Sequence, residues 1–156
     1  MKSKLFYLII ALVALGSFWV LAENRLNDQS DGKTIEKTKN TIILSINDLE
    51  IEAELADTPA EHEQGLSGRT ALPENQGLLF IFDQSGQYNF WMKEMNFPID
   101  IIWLDENKKI IDITANLATS TYPANFTSRA PAKYVLEVNA GFTAQNNIKI
   151  GNQAEF

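Results

Sequence analysis

The stretch "LEIEAELA", Leu49 to Ala56, constrains the fold of this chain more than any other. Leu49, Ile51, Ala53 and Leu55 alternate without a break with Glu50, Glu52 and Glu54. Successive side chains of an extended backbone point to opposite faces of a sheet. A period of two therefore means a strand with one buried face and one wet, acidic face. Asn47 and Asp48 stand just before the run and suit a tight turn. "TIILSI" precedes them, so residues 41–56 are expected to open the domain as a hairpin. The three glutamates are read as a solvated strand face, because a hard-cation site needs oxygens converging from several directions.

A helix start follows. Thr58 can cap, Pro59 fits the first helical position, and Glu61 completes a capping box. The helix is expected to end near Gln64 with Gly65 as its C-terminal cap. His62, the single histidine, is expected to be exposed on it. "GLLFIF" and "QYNFWM" read as two strands with "SGQ" as the turn between them. "IDIIWL" and "KIIDI" pair around Glu106-Asn107-Lys108, "KYVLEV" is the last clear strand, and "GFTAQNN" is a helical turn or two. The expected fold class is α+β and β-rich, a mainly antiparallel sheet curled into a barrel- or sandwich-like domain with one or two short helices. The strand–helix alternation of a parallel sheet is not seen.

The N-terminus speaks to location. Lys2 and Lys4 precede an uncharged run from Leu5 to Ala22. A basic start before an apolar run is an export signature, and the run is also long enough to span a bilayer as a helix. Residues 1–22 are read as a signal peptide or membrane anchor, with the following domain outside the cytoplasmic membrane, periplasmic or extracellular. Residues 23–40 hold only Leu26 and Ile35 as large apolar side chains and are read as a flexible tether. The folded domain is expected over 41–156. With 13 basic and 20 acidic residues the chain carries a formal net charge of -7, which argues against a nucleic-acid partner. The membrane enters through the N-terminal segment only. With no cysteine and one histidine, no metal site and no cofactor is expected.

"FWMKEMNFPID", Phe90 to Asp100, is the stretch where chemistry is expected. Parity puts Tyr88, Phe90 and Met92 on one face, and Asn89, Trp91 and Lys93 on the other, with the Lys93 stem over Trp91. "KEMN" breaks the pattern. Asp100 then opens a buried strand face shared with Ile102 and Leu104, where a carboxylate needs a cation or several donors. Glu137 sits in the otherwise apolar "KYVLEV" on the side of Val135. Two placements are open for it: half-exposed, or buried and paired with Arg69, Arg129 or Lys93.

"GLSGR", "GLLFIF", "FWMKEMNFPIDIIWLDENKKI", "YVLEVNAGF" and "IKIGN", in this order and spacing, resemble the bacterial and archaeal domain of unknown function 192 family. The resemblance covers about Ile51 to Gln153 and implies a small β-rich α+β domain behind an export signal. It implies marked polar positions at Arg69, Lys93, Asp100 and Glu137, with Trp91 and Pro98 setting shape. Ser67, the "KEM" at 93–95 and Asn152 depart from the commoner residues of that pattern. The resemblance implies no activity.

Arg69, Lys93, Asp100 and Glu137, two cations and two carboxylates beside Trp91, are therefore expected to form one neutral polar cluster. Three functions fit. The first is a non-catalytic binding or accessory module of the cell envelope. Its partner would be an envelope polymer or protein met by Trp91, Trp103, Tyr122 and Phe126. The second is a hydrolase or lyase on an envelope polymer, with Asp100 and Glu137 as the acid/base pair. The third is a structural or assembly partner without a small ligand.

Overall fold

The opening hairpin forms as its residues dictate. Strands β1 (Thr41–Ile46) and β2 (Leu49–Ala56) pair antiparallel around Asn47 and Asp48. Both turn residues take positive φ, 52° and 63°, as a tight hairpin turn requires. The computed structural model describes residues 40–156. The expected signal or anchor over 1–22 and the tether over 23–40 lie outside the described residues, Asn40 apart.

Helix α1 (Pro59–Gln64) carries the capping box in full. Thr58 Oγ1 accepts from the Glu61 amide at 3.3 Å, and the Glu61 carboxylate accepts from the Thr58 amide at 3.2 Å. Strand β3 (Gln76–Gly86) follows, then β4 (Ile99–Leu104), β5 (Ile110–Leu117), a 3-10 turn (Thr119–Thr121), β6 (Ala132–Asn139), α2 (Phe142–Gln145) and β7 (Ala154–Glu155). The seven strands form one sheet in the order β5-β4-β6-β3-β2-β1-β7. A bridge between Lys109 and Gln153 ties the start of β5 to the end that carries β7, so the sheet curls toward closure.

The fold is the β-rich α+β class read from the sequence, with two local corrections. The β2–β3 pair is parallel, because α1 and the segment after it carry the chain back across before β3 begins. The expected strand "QYNFWM" is irregular. Strand β3 runs on through the expected turn at Ser85-Gly86 to pair Gly86 with Ala132 after a register shift. Residues 87–92 then have no neighbouring strand to complete a ladder, and Phe90 makes only an isolated bridge to Phe126. Burial still alternates there: Phe90 and Met92 are buried and Trp91 is 39% exposed.

Cross-strand rows assign the faces. Glu54, Leu78, Glu137 and Ile101 stand side by side across β2, β3, β6 and β4. The next row, Leu55, Leu79, Leu136 and Ile102, points the opposite way. The inner face draws apolar side chains from every strand, among them Leu44, Ile51, Leu79, Ile102, Leu136 and Ala154. The outer face carries Leu78, Phe80, Phe82, Ile101, Trp103 and Val135. Irregular segments cover it with Leu66, Leu72, Phe90 and Met92. Both faces are thus buried over the middle of the sheet, which is why all six residues of β4 are buried.

Candidate functional site

The outer face holds one acid where every neighbour in its row but one is apolar. Glu137 is 5% exposed and is flanked across the strands by Leu78 and Ile101. Its Oε2 is the single buried side-chain oxygen or nitrogen without a hydrogen-bond partner among the described residues. An unpaired buried oxygen carries a desolvation cost that folding alone does not explain. Burial pushes the Glu137 carboxyl from 4.5 up to about 8, with the Arg69 guanidinium pulling the other way. At neutral pH the group is mostly a neutral acid, able to donate or accept.

Glu137 lies on the wall of a cavity of about 330 Å³. That is the size of a small-molecule site. Four parts of the chain enclose it: α1 with the turn after it, the middle of β3, the irregular segment 88–95, and β6 through Glu137. The aromatic lining is dense. Phe90 meets Phe80 edge-on at 4.8 Å between ring centroids, and Tyr88 stacks on Phe82 at 3.5 Å. Trp91 and Met95 complete the apolar lining. The alternation of "GLLFIF" puts Leu78, Phe80 and Phe82 on one face, so the sequence did contain this signal.

Gly65 keeps the cavity open next to the acid. Its φ is +50°, a conformation side chains rarely adopt. A Cβ there would sit 3.4 Å from Phe80 Cζ and 3.9 Å from Glu137 Oε2. The segments around the opening are laced together. Ser67 Oγ donates to the Lys93 carbonyl at 2.8 Å, Gly68 N to the Glu94 carbonyl at 2.9 Å, and Asn96 Nδ2 to the Arg69 carbonyl at 2.8 Å. The turn-like break read at "KEMN" is therefore a real turn, with Glu94 at φ 56°.

The expected four-residue cluster divides. Arg69 and Glu137 do share one neighbourhood, but the Arg69 guanidinium bonds Glu54 through two N–H groups, at 2.9 and 2.7 Å. Glu54, read as part of a solvated face, is thus half-buried under a bidentate pair. Lys93 is exposed and touches the network through its carbonyl rather than its ammonium. Among the described residues, the ammonium seated over an aromatic ring is that of Lys108, 4.1 Å from the Phe156 ring centroid.

Asp100 belongs to the other face, with Ile102 and Leu104. It is fully buried and its needs are met by donors, not by a cation. Oδ1 accepts from the amides of Asn116 and Gly141, at 2.8 and 3.0 Å. Oδ2 accepts from the Thr143 amide at 3.0 Å and the Thr143 hydroxyl at 2.6 Å. A β-bulge places the first of these: Ile99 and Ile101 oppose Leu117 and Thr114, so one extra β5 residue faces β4. Asn116 sits in that bulge at φ 54°. Asp100 thus pins β5 and the start of α2 to β4. Ile101 is the residue paired with Glu137, so the sheet lies between the Asp100 and Glu137 carboxyls. One substrate cannot bridge them as acid and base.

Of the remaining aromatics, Trp103 is core, its indole N–H donating to Thr114 Oγ1 at 3.0 Å. Tyr122 is exposed, and Phe126 packs half-buried on the outer core. His62, expected to be exposed, is half-buried against Phe82 with ring centroids 4.5 Å apart. Its Nε2 lies 2.9 Å from the Ala56 carbonyl. The helix periodicity could not show that α1 lies over a phenylalanine. Gly65, His62, Phe80, Phe82 and Tyr88 are the site residues that sequence reasoning missed.

Comparison with known proteins agrees with this architecture. No curated protein matches the chain. A solved structure from Sinorhizobium meliloti 1021, provisionally labelled a transcription regulator, is 28% identical with a TM-score of 0.71, covering 75% of this chain and 94% of its own. A protein of unknown function from Novosphingobium aromaticivorans DSM 12444 is 28% identical with a TM-score of 0.72, covering 78% and 89%. The model of one family, described as an uncharacterized ACR, matches residues 42–156. The chain belongs to the domain of unknown function 192 family.

Proposed function

We propose that this chain is a non-catalytic binding module of the cell envelope, exported or anchored by residues 1–22, whose site is the aromatic cavity closed by Glu137. One observation carries the reading: a buried, unpartnered carboxyl oxygen on the wall of a 330 Å³ aromatic cavity. A side chain kept for packing alone would serve better there as Leu or Met. The basic start and uncharged run at 2–22 support export. The hydrolase reading loses its acid/base pair, because Asp100 is on the opposite face with its oxygens engaged. The regulator label of the Sinorhizobium chain does not carry over, since a net charge of -7 disfavours DNA.

Two measurements test this. Mass spectrometry of the N-terminus and cell fractionation are expected to find the domain outside the cytoplasm. A cytosolic protein beginning at Met1 overturns export. Titration with soluble peptidoglycan fragments, followed by backbone amide NMR, is expected to shift Gly65, Trp91 and Glu137 and to return the fragments unchanged in mass. Shifts confined to other residues, or cleaved fragments, overturn the binding reading.

A further inference from the structure

We propose that the cavity selects a primary ammonium group, held over the aromatic rings and paired with the Glu137 carboxylate. This rests on the cavity being a binding site and adds what it binds. The ionisable side chains on the wall are Glu137, Glu63, His62 and Tyr88, and none of the described lining residues is Lys or Arg. Arg69, the one cation acting on Glu137 among the described residues, already spends two N–H groups on Glu54. An anion would therefore meet two carboxyls and no free guanidinium. A neutral apolar ligand would leave Glu137 Oε2 unpaired, as it is now. A cation satisfies that oxygen and lies among the rings of Phe80, Phe90 and Trp91, which line the same small space. Gly65 supplies the room, since any side chain there would point toward the same oxygen.

The protons balance simply. An ammonium enters, the neutral Glu137 carboxyl loses its proton to the buffer, and an ammonium–carboxylate pair remains. No bond in the ligand is made or broken. Near pH 7, with Glu137 titrating about 8, uptake of the cation should release close to one proton per site. Among the described residues, the other charged or titratable groups around Glu137 are His62, Glu63 and Tyr88 on the cavity wall and the Arg69–Glu54 pair.

The test uses the whole chain with three probes of one shape: benzylamine as cation, benzyl alcohol as neutral match, phenylacetate as anion. Amide shifts locate binding. Calorimetry in buffers of different ionisation enthalpy counts protons. Benzylamine is expected to bind about tenfold tighter than benzyl alcohol, with shifts at Gly65, Trp91 and Glu137. It should release protons, and Glu137→Gln should abolish both the preference and the release. The proton count on the unaltered protein stands even where Glu137→Gln folds poorly. A lysine-containing tripeptide with blocked ends, run beside benzylamine, distinguishes a peptide side chain from a free small amine as the source. Equal binding of benzylamine and benzyl alcohol at the cavity without proton release overturns the ammonium inference and leaves the cavity as a site. No shift of cavity residues with any probe overturns both.

Discussion

Replacing Glu137 by Gln removes one titration from the folded protein while keeping nearly the same shape. In the unfolded chain the carboxyl titrates at 4.5, and in the folded one at about 8. Between those values the folded state holds a proton that the unfolded state has released, so stability must fall as pH rises. The loss is absent below about pH 4, where both states are protonated. It reaches about 3 kcal/mol at about pH 7 and levels off near about 5 kcal/mol above about pH 9. The glutamine variant has no such slope. Urea unfolding of both proteins across this range isolates the effect, because every other titrating group is common to the pair. The expected difference curve favours the native chain most in acid and declines through neutrality. Parallel curves would refute the reasoning, for they would mean that Glu137 is solvated or paired and that no acid is held neutral in the cavity.

Other outcomes follow from the same geometry. Arg69→Met removes the charge that pulls the Glu137 carboxyl down, so the decline should extend to higher pH in the same urea series. Asp100→Asn turns an NH2 donor toward groups that are themselves donors and should cost about 2–4 kcal/mol by urea unfolding, without altering benzylamine binding. Trp91→Ala removes a half-open lining ring and should change stability by no more than about 0.5 kcal/mol. It should weaken benzylamine binding several-fold in the calorimeter.

Much of this was written in local pattern. The Leu49–Leu55 alternation, the Thr58 capping box and the Asn47-Asp48 turn each needed only neighbouring residues, and each formed as read. Parity also placed Glu137 with Val135 and Asp100 with Ile102 correctly. What parity cannot supply is register between strands. Only the pairing of Ile101 with Glu137 reveals that the two acids point to opposite sides of the sheet. Charge counting failed for a related reason. Two cations and two carboxylates balance on paper, but Arg69 takes Glu54, and Asp100 draws on backbone amides whose positions depend on a bulge and a helix start. The cavity was hidden because its wall comes from four separate segments.

The sheet's two buried faces differ in what holds them together. Inner-face side chains come from every strand and close on one another, whereas the outer face is roofed in part by the segments around 65–72 and 87–98, joined by the Ser67, Gly68 and Asn96 bonds. The proposed cavity therefore lies under two segments that contribute no side chain to the inner layer. Exchanging either roof segment would recast the cavity only while the buried Leu66, Leu72, Phe90 and Met92 that cover the outer face were kept. A library varied at Trp91 and Met95, the more open of the apolar lining side chains, would sample new cavity shapes without removing a fully buried core residue.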